Sequence, residues 1–185
     1  MQLACTNGTP IQKLTTPDYG ESHHIGPYSA HHSDDGSSQW AVDMPHDAWR
    51  DLYKPYIAAY KSGVSSPTVE TEEIVYWYRP TPKGVTCSGD SLGAPNGISM
   101  LSDSIFVATM LKDPATLTVT SGSNSPVSVE VPAGIVTTSI PMGVGEQSFS
   151  VTRHGQKVLD GKGGLVVKDT CKYYNFNVYV GAITK

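Results

Sequence analysis

The chain reads as mainly β, an antiparallel β-sandwich preceded by a helical and loop-like segment. Three observations predict this. From about residue 72 onward the apolar residues recur with a period of two, as in Leu117 and Val119 between Thr116, Thr118 and Thr120. The 185 residues include 18 Gly and 13 Pro, concentrated in Ser-Gly-Ser-Asn, Pro-Ala-Gly and His-Gly clusters that suit turns. Only one stretch, before residue 64, carries a sustained helical period.

Taken in order, residues 1–17 contain Gly8, Pro10 and Pro17 with isolated apolar residues between them, and form no recognisable element. Residues 18–43 are polar and loop-like. The helix follows. Asp43 is placed to cap it, Pro45 suits its first turn and Asp47 complements its dipole. Trp49, Tyr53, Tyr56, Ile57 and Tyr60 form its apolar stripe, while Arg50, Asp51, Lys54 and Lys61 face away. Pro55 should kink or split it, and Gly63 should end it. Residues 64–71 read as a linker.

Strands are then expected at Ile74–Tyr78, Ile105–Leu111, around Leu117 and Val119, and at Val127–Val131, Gly134–Ile140 and Gln147–Thr152. Two more are expected at Lys157–Leu159 with Leu165–Lys168, and at Tyr173–Val180. About 115 residues is enough for such a sandwich to fold by itself.

Composition removes some function classes. The formal charge is −4, so neither nucleic acid nor an anionic membrane would be drawn to the chain electrostatically. No apolar run approaches membrane-spanning length, and a soluble protein is expected. The first residues, Met1 to Asn7, have no basic region followed by an apolar one, and so do not read as a secretory signal. Of three cysteines, Cys87 and Cys171 fall in the strand-rich part, where a bridge between them would contribute on the order of 4 kcal/mol; Cys5 is left over. Asn7-Gly8-Thr9 fits a glycosylation sequon.

Asp18-Tyr19-Gly20-Glu21-Ser22-His23-His24-Ile25-Gly26 is the densest candidate site. Its two carboxylates, three residues apart beside a glycine, are the minimum equipment for acid–base cleavage of a glycosidic bond. A solvated turn explains the same residues. His23, His24, His31 and His32 with Asp34 and Asp35 could gather round a metal, but their spacing matches no familiar ligand set; neither metal nor cofactor is expected. Gly89-Asp90-Ser91-Leu92 spells a serine-esterase signature. Its required downstream Asp-x-x-His is missing, since Val151 stands three residues before His154. Tyr76, Trp77 and Tyr78 are either core residues or a sugar platform.

Several blocks carry a resemblance. Asp18–His23, Pro27-Tyr28, His32–Ser38, Pro45–Asp51, Lys54–Lys61, Tyr76–Lys83, Gly89–Pro95 and Tyr174–Gly181 are similar to the C-terminal part of fungal α-1,3-glucanases, the mutanases of glycoside hydrolase family 71. The resemblance implies a secreted, inverting enzyme made of a (β/α) barrel followed by a β-sandwich, acting as a monomer on α-1,3-glucan. It implies that Asp18 and Glu21 are the catalytic carboxylates, with Glu21 as acid and Asp18 as base, and that Tyr19, His23, Tyr28 and Trp49 contact sugar. On this basis residues 18–63 are the end of the barrel, 64–71 a linker and 72–185 the accessory sandwich. Residues 1–17 stand apart: Thr16-Pro17 occupy the place where the family has Trp-Asn, and His24 the place of a tyrosine. The chain is therefore expected to be a truncated piece, inactive by itself because a barrel needs all its strands. The alternative is a carbohydrate-binding or purely structural sandwich without catalysis.

Overall fold

The computed structural model describes residues 19–28 and 35–185. Among them a short helix α1 (Ser38–Ala41) and a longer helix α2 (Ala48–Ser62) precede eight strands. These are β1 (Glu73–Tyr78), β2 (Ser104–Leu111), β3 (Ala115–Ser121), β4 (Val127–Val131), β5 (Gly134–Pro141), β6 (Gln147–Arg153), β7 (Gln156–Lys162) and β8 (Tyr179–Thr184). They form two four-stranded sheets, β5-β2-β1-β8 and β4-β3-β6-β7, antiparallel throughout. The expected sandwich is present.

Between the sheets lie Ile74, Tyr76 and Tyr78 of β1, Ile105 and Val107 of β2, Leu117 and Val119 of β3, and Phe149 and Val151 of β6. Tyr76 stacks on Phe149 with centroids 4.5 Å apart. The buried phenols are satisfied by backbone: Tyr78 Oη donates to the Leu165 carbonyl at 2.6 Å, and Tyr76 Oη accepts from Gly164 N–H at 3.1 Å. Burial raises both phenol pKa values above the ordinary one. Gly163 and Gly164 are required here, because a Cβ at either would collide with the hydroxyls of Tyr78 and Tyr179.

The two ends of the expected strand set need correction. Residues 165–168 form no strand, their one β-bridge being Gly145–Val167, and the hydrogen-bonded partner of β6 is β7 alone on that side. The last strand begins at Tyr179, not at Tyr173. The reason is local: Asn175 Oδ1 takes the Asn177 N–H, Asn177 Oδ1 takes the Val178 N–H, and Asp90 takes the Tyr174 N–H. Those donors are met by side chains, which compete with a ladder.

Helix α2 also differs from its expectation. Asp43 sits in a turn with φ +60, and the helix starts five residues later with Asp47 before it. Asp47 binds the Arg50 guanidinium instead of capping. Pro55 does not split the helix, which runs on to Gly63 in the left-handed conformation. The face that packs carries Ala48, Trp49 and Leu52, and it rests on Val75, Ala108, Met110 and Val180 of the first sheet. Ile57 and Tyr60 of the anticipated stripe are exposed. Val69, in the stretch read as a linker, is buried in the same cluster. Helix and sandwich are thus packed against each other.

Cys87 and Cys171 are disulfide-bonded across 84 positions of sequence, and the Ser88 and Gly89 N–H groups bond the Cys171 and Lys172 carbonyls beside them. Closing so long a loop contributes on the order of 4 to 5 kcal/mol by restricting the unfolded chain. Among the described residues no helix is long and apolar enough to cross a membrane.

Candidate active site

Residues 19–22 form a tight turn closed by Ser22 N–H to the Tyr19 carbonyl at 3.2 Å, with Ser22 at φ +58. The turn pushes Glu21 outward. Its side chain is 67% exposed and lies 3.2 Å from His23 Nδ1, which is itself 71% exposed. An ion pair this wet contributes little to stability. Asp18, the other carboxylate of the pair, lies outside the described residues, as do His31, His32 and Asp34. Asp35 is described and accepts the Ser37 N–H through Oδ1.

Under the exposed turn is a buried aromatic base. Tyr19 is only 4% exposed; its ring packs at 4.9 Å from His24 and 4.8 Å from Tyr28. Its hydroxyl donates to the Pro27 carbonyl and its own carbonyl accepts from Trp40 Nε1 at 2.9 Å. Tyr19 therefore faces inward and orients the turn. His23 and Tyr28 retain surface, and Trp49 is half-buried at the start of α2, edge-on to Trp77.

The base continues into His24, weighed from the sequence only as a possible metal ligand, and His46, to which the sequence assigned no role. His24 and His46 are both buried and stack face to face, centroids 3.8 Å apart and 5° from parallel. His24 Nε2 faces the Met44 carbonyl at 3.3 Å. Burial, and then the neighbouring His46, push the His24 pKa below its ordinary value; the Met44 carbonyl and Asp47 oppose this. The shift favours the neutral ring. His46 reaches the sandwich: its Nε2 lies 3.0 Å from both Asn177 Oδ1 and the Val178 carbonyl. Asn177 Nδ2 and Asn175 Nδ2 both donate to the Trp40 carbonyl, and Val180 N–H bonds the Pro45 carbonyl. His46 and Asn177 stood inside two of the resembling blocks, which was the one available signal; nothing in their types or spacing announced a contact.

The remaining candidates do not gather here. Ser91 is exposed, Asp90 is occupied in bonding Leu92 and Tyr174 N–H groups, and His154 occupies the β6–β7 turn of the other sheet. Tyr76 and Tyr78 are core residues, whereas Trp77 stacks on Phe106 at 5.7 Å on the outer face. A cavity of about 330 Å³ is lined by Val119, Ser121, Asn124 and Ile140, between β3 and β5 and away from the turn.

Chemically, the turn offers a solvent-facing carboxylate with an imidazole beside it, on a rigid base. The family model for Glycosyl hydrolase family 71 matches residues 2–185. A mutanase of Penicillium rubens is 71% identical over 172 residues, covering 93% of this chain and 39% of the relative. A glucan endo-1,3-alpha-glucosidase of Schizosaccharomyces pombe is 42% identical over 174 residues, covering 94% of this chain and 40% of the relative. An ascus wall endo-1,3-alpha-glucanase of the same yeast is 28% identical over 192 residues, covering 96% and 44%. The chain thus spans about two fifths of the length of these curated relatives. No solved structure matches it.

Proposed function

The chain belongs to glycosyl hydrolase family 71, and from that premise we propose that it carries the acidic pair of an enzyme hydrolysing α-1,3-glucosidic bonds of fungal wall glucan with inversion. The observation that carries this reading is the turn itself. Glu21 projects into solvent from a base in which Tyr19, His24 and His46 are buried and hydrogen-bonded. Inversion needs one protonated carboxyl to release the leaving oxygen and one ionised carboxylate to activate water, with room for that water between them. Glu21 is assigned the acid role and Asp18 the base role. His23, 3.2 Å from Glu21, is positioned to exchange a hydrogen bond with the acid or with a sugar hydroxyl. Tyr28 and Trp49 supply apolar faces for sugar rings, and Tyr19 holds the turn beneath them.

The chain by itself is expected to release no sugar, because Glu21 is 67% exposed among the described residues, too open to exclude water or orient a glucan. The Cys87–Cys171 disulfide suits an oxidising compartment, which agrees with action outside the cell. The test is a chimera in which this chain replaces the matching segment of the Penicillium relative. Release of glucose oligomers from insoluble α-1,3-glucan is expected, with a loss of at least about a hundredfold on Glu21→Gln and on Asp18→Asn. A folded chimera that is inactive, or one indifferent to Glu21→Gln, would sink the reading.

A further inference from the structure

Outside the acidic turn, a buried polar assembly surrounds His46. The ring is fully buried, and three oxygens face it: the His24 carbonyl 2.7 Å from Nδ1, and Asn177 Oδ1 and the Val178 carbonyl each 3.0 Å from Nε2. Its own backbone N–H bonds the Gly26 carbonyl at 3.1 Å. It therefore grips the segment leading from Glu21 at two points, residues 24 and 26, and also covers the ring of His24. On its other side it grips the two residues that precede β8. Asn177 is held in the orientation that presents Oδ1, because its Nδ2 donates to Trp40 and its Oδ1 takes the Val178 N–H. Trp40 in turn donates its indole N–H to the Tyr19 carbonyl, so the network closes on the turn from both ends.

We propose that His46 is a positioning residue for the acidic turn. It fixes the direction in which Glu21 leaves the base by locking residues 24–26 to the sandwich through Asn177 and Val178. The inference rests on the reading of Glu21 as a reacting carboxyl for its catalytic consequence, but the locking itself is independent of activity. His46 touches neither sugar nor the reacting atoms; it acts through His24 and the backbone. It follows that the sandwich is part of the site's scaffold, and that the site loses its aim if the pre-β8 segment is released.

Hydrogen exchange on the purified chain measures the locking. His46→Phe keeps a flat ring for the His24 stack but removes the donors. It is expected to speed exchange of the amides in residues 19–28 by at least about tenfold relative to those of β3 and β6. Asn177→Ala, milder and less able to disturb folding, should do the same to a smaller degree. Leu159→Ala, a core truncation in the other sheet, supplies a control that lowers stability without touching the lock. His46→Gln, which restores a donor, should recover part of the protection. If residues 19–28 respond to His46→Phe no more than to Leu159→Ala, His46 is merely structural and the proposal falls.

In the chimera, His46→Phe should lower kcat by roughly ten- to a hundredfold with KM little changed, the pattern of a misaimed catalytic group. A loosened turn with kcat unchanged would overturn the catalytic assignment of Glu21 while leaving the locking intact. A KM increase at constant kcat would overturn the positioning role.

Discussion

In the first sheet Val75, Ala108, Met110 and Val180 point outward, away from the other sheet, and helix α2 lies over them; in the second, Thr116, Thr118, Ser150 and Thr152 point outward into water. The two sheets are equal in strand number and share one core, yet their outer faces obey different rules. β1 is buried along almost its whole length, so its sequence Glu-Ile-Val-Tyr-Trp-Tyr is a continuous run. β3 alternates buried and half-exposed positions without a break, and its sequence alternates with it. The difference teaches where the chain needs its preceding segment. The second sheet is complete with one core face. The first is complete only when α2 covers it.

The strongest way to break this comparison is to place a charge on each face. Val75→Asp should destabilise the chain by more than about 3 kcal/mol, because the carboxylate would have no partner under the helix. Thr118→Asp, on the open face, should stay within about 0.5 kcal/mol. Urea denaturation of both variants measures the gap, and equal losses would mean that the faces are not different environments.

A smaller effect is expected from the helix itself. Leu52→Ala removes a partly buried contact and should cost about 1 to 3 kcal/mol, against almost nothing for Ser150→Ala on the open face. A cost near zero for Leu52→Ala would show that α2 is not held by this surface.

The finest test uses two adjacent carboxyls. Glu73 lies on the helix-covered face, where burial and then Asp51 raise its pKa while Lys54 opposes them. Glu72 is paired with Arg153 and also accepts the Lys112 N–H, and its pKa is lowered mainly by the Arg153 hydrogen bond. For Glu73 the unfolded chain gives up its proton first, so its share of stability is lost as pH rises from the ordinary carboxyl range through the folded pKa. For Glu72 the unfolded chain takes up its proton first, so its share is present above that range and lost as pH falls below it. Glu73→Gln should therefore raise the Tm at pH 7 and Glu72→Gln should lower it. Two shifts of the same sign would remove the distinction.

This contrast also explains what could be read from the residues alone. The alternating strands of the second sheet, β3, β4 and β6, were legible because one wet face leaves a period of two in the sequence. The helix was legible as a helix, but its buried side was misjudged. Trp49 was assigned to the stripe correctly, while small Ala48 and Leu52 form the rest of the contact and the large Tyr60 stays outside. The start of β8 was missed because Asn175 and Asn177 satisfy backbone donors that an apolar alternation suggested for a ladder. Within the candidate site, the surface exposure of Glu21 and His23 was legible from residue type. The His46–Asn177 contact was not, since it joins positions 131 residues apart and leaves no periodic trace.

That separation has a consequence for how the molecule comes into being. A ribosome delivers Glu21, His24 and His46 before either sheet, but Asn177 and Val178 only after nearly all of both sheets have been made. At roughly 5 to 20 residues per second, the acidic turn waits several seconds or more without its anchor. During that interval the surface on which α2 packs also lacks Val180. The carboxyl-bearing turn is thus made well before the residues that anchor it, and is fastened only when the sandwich closes.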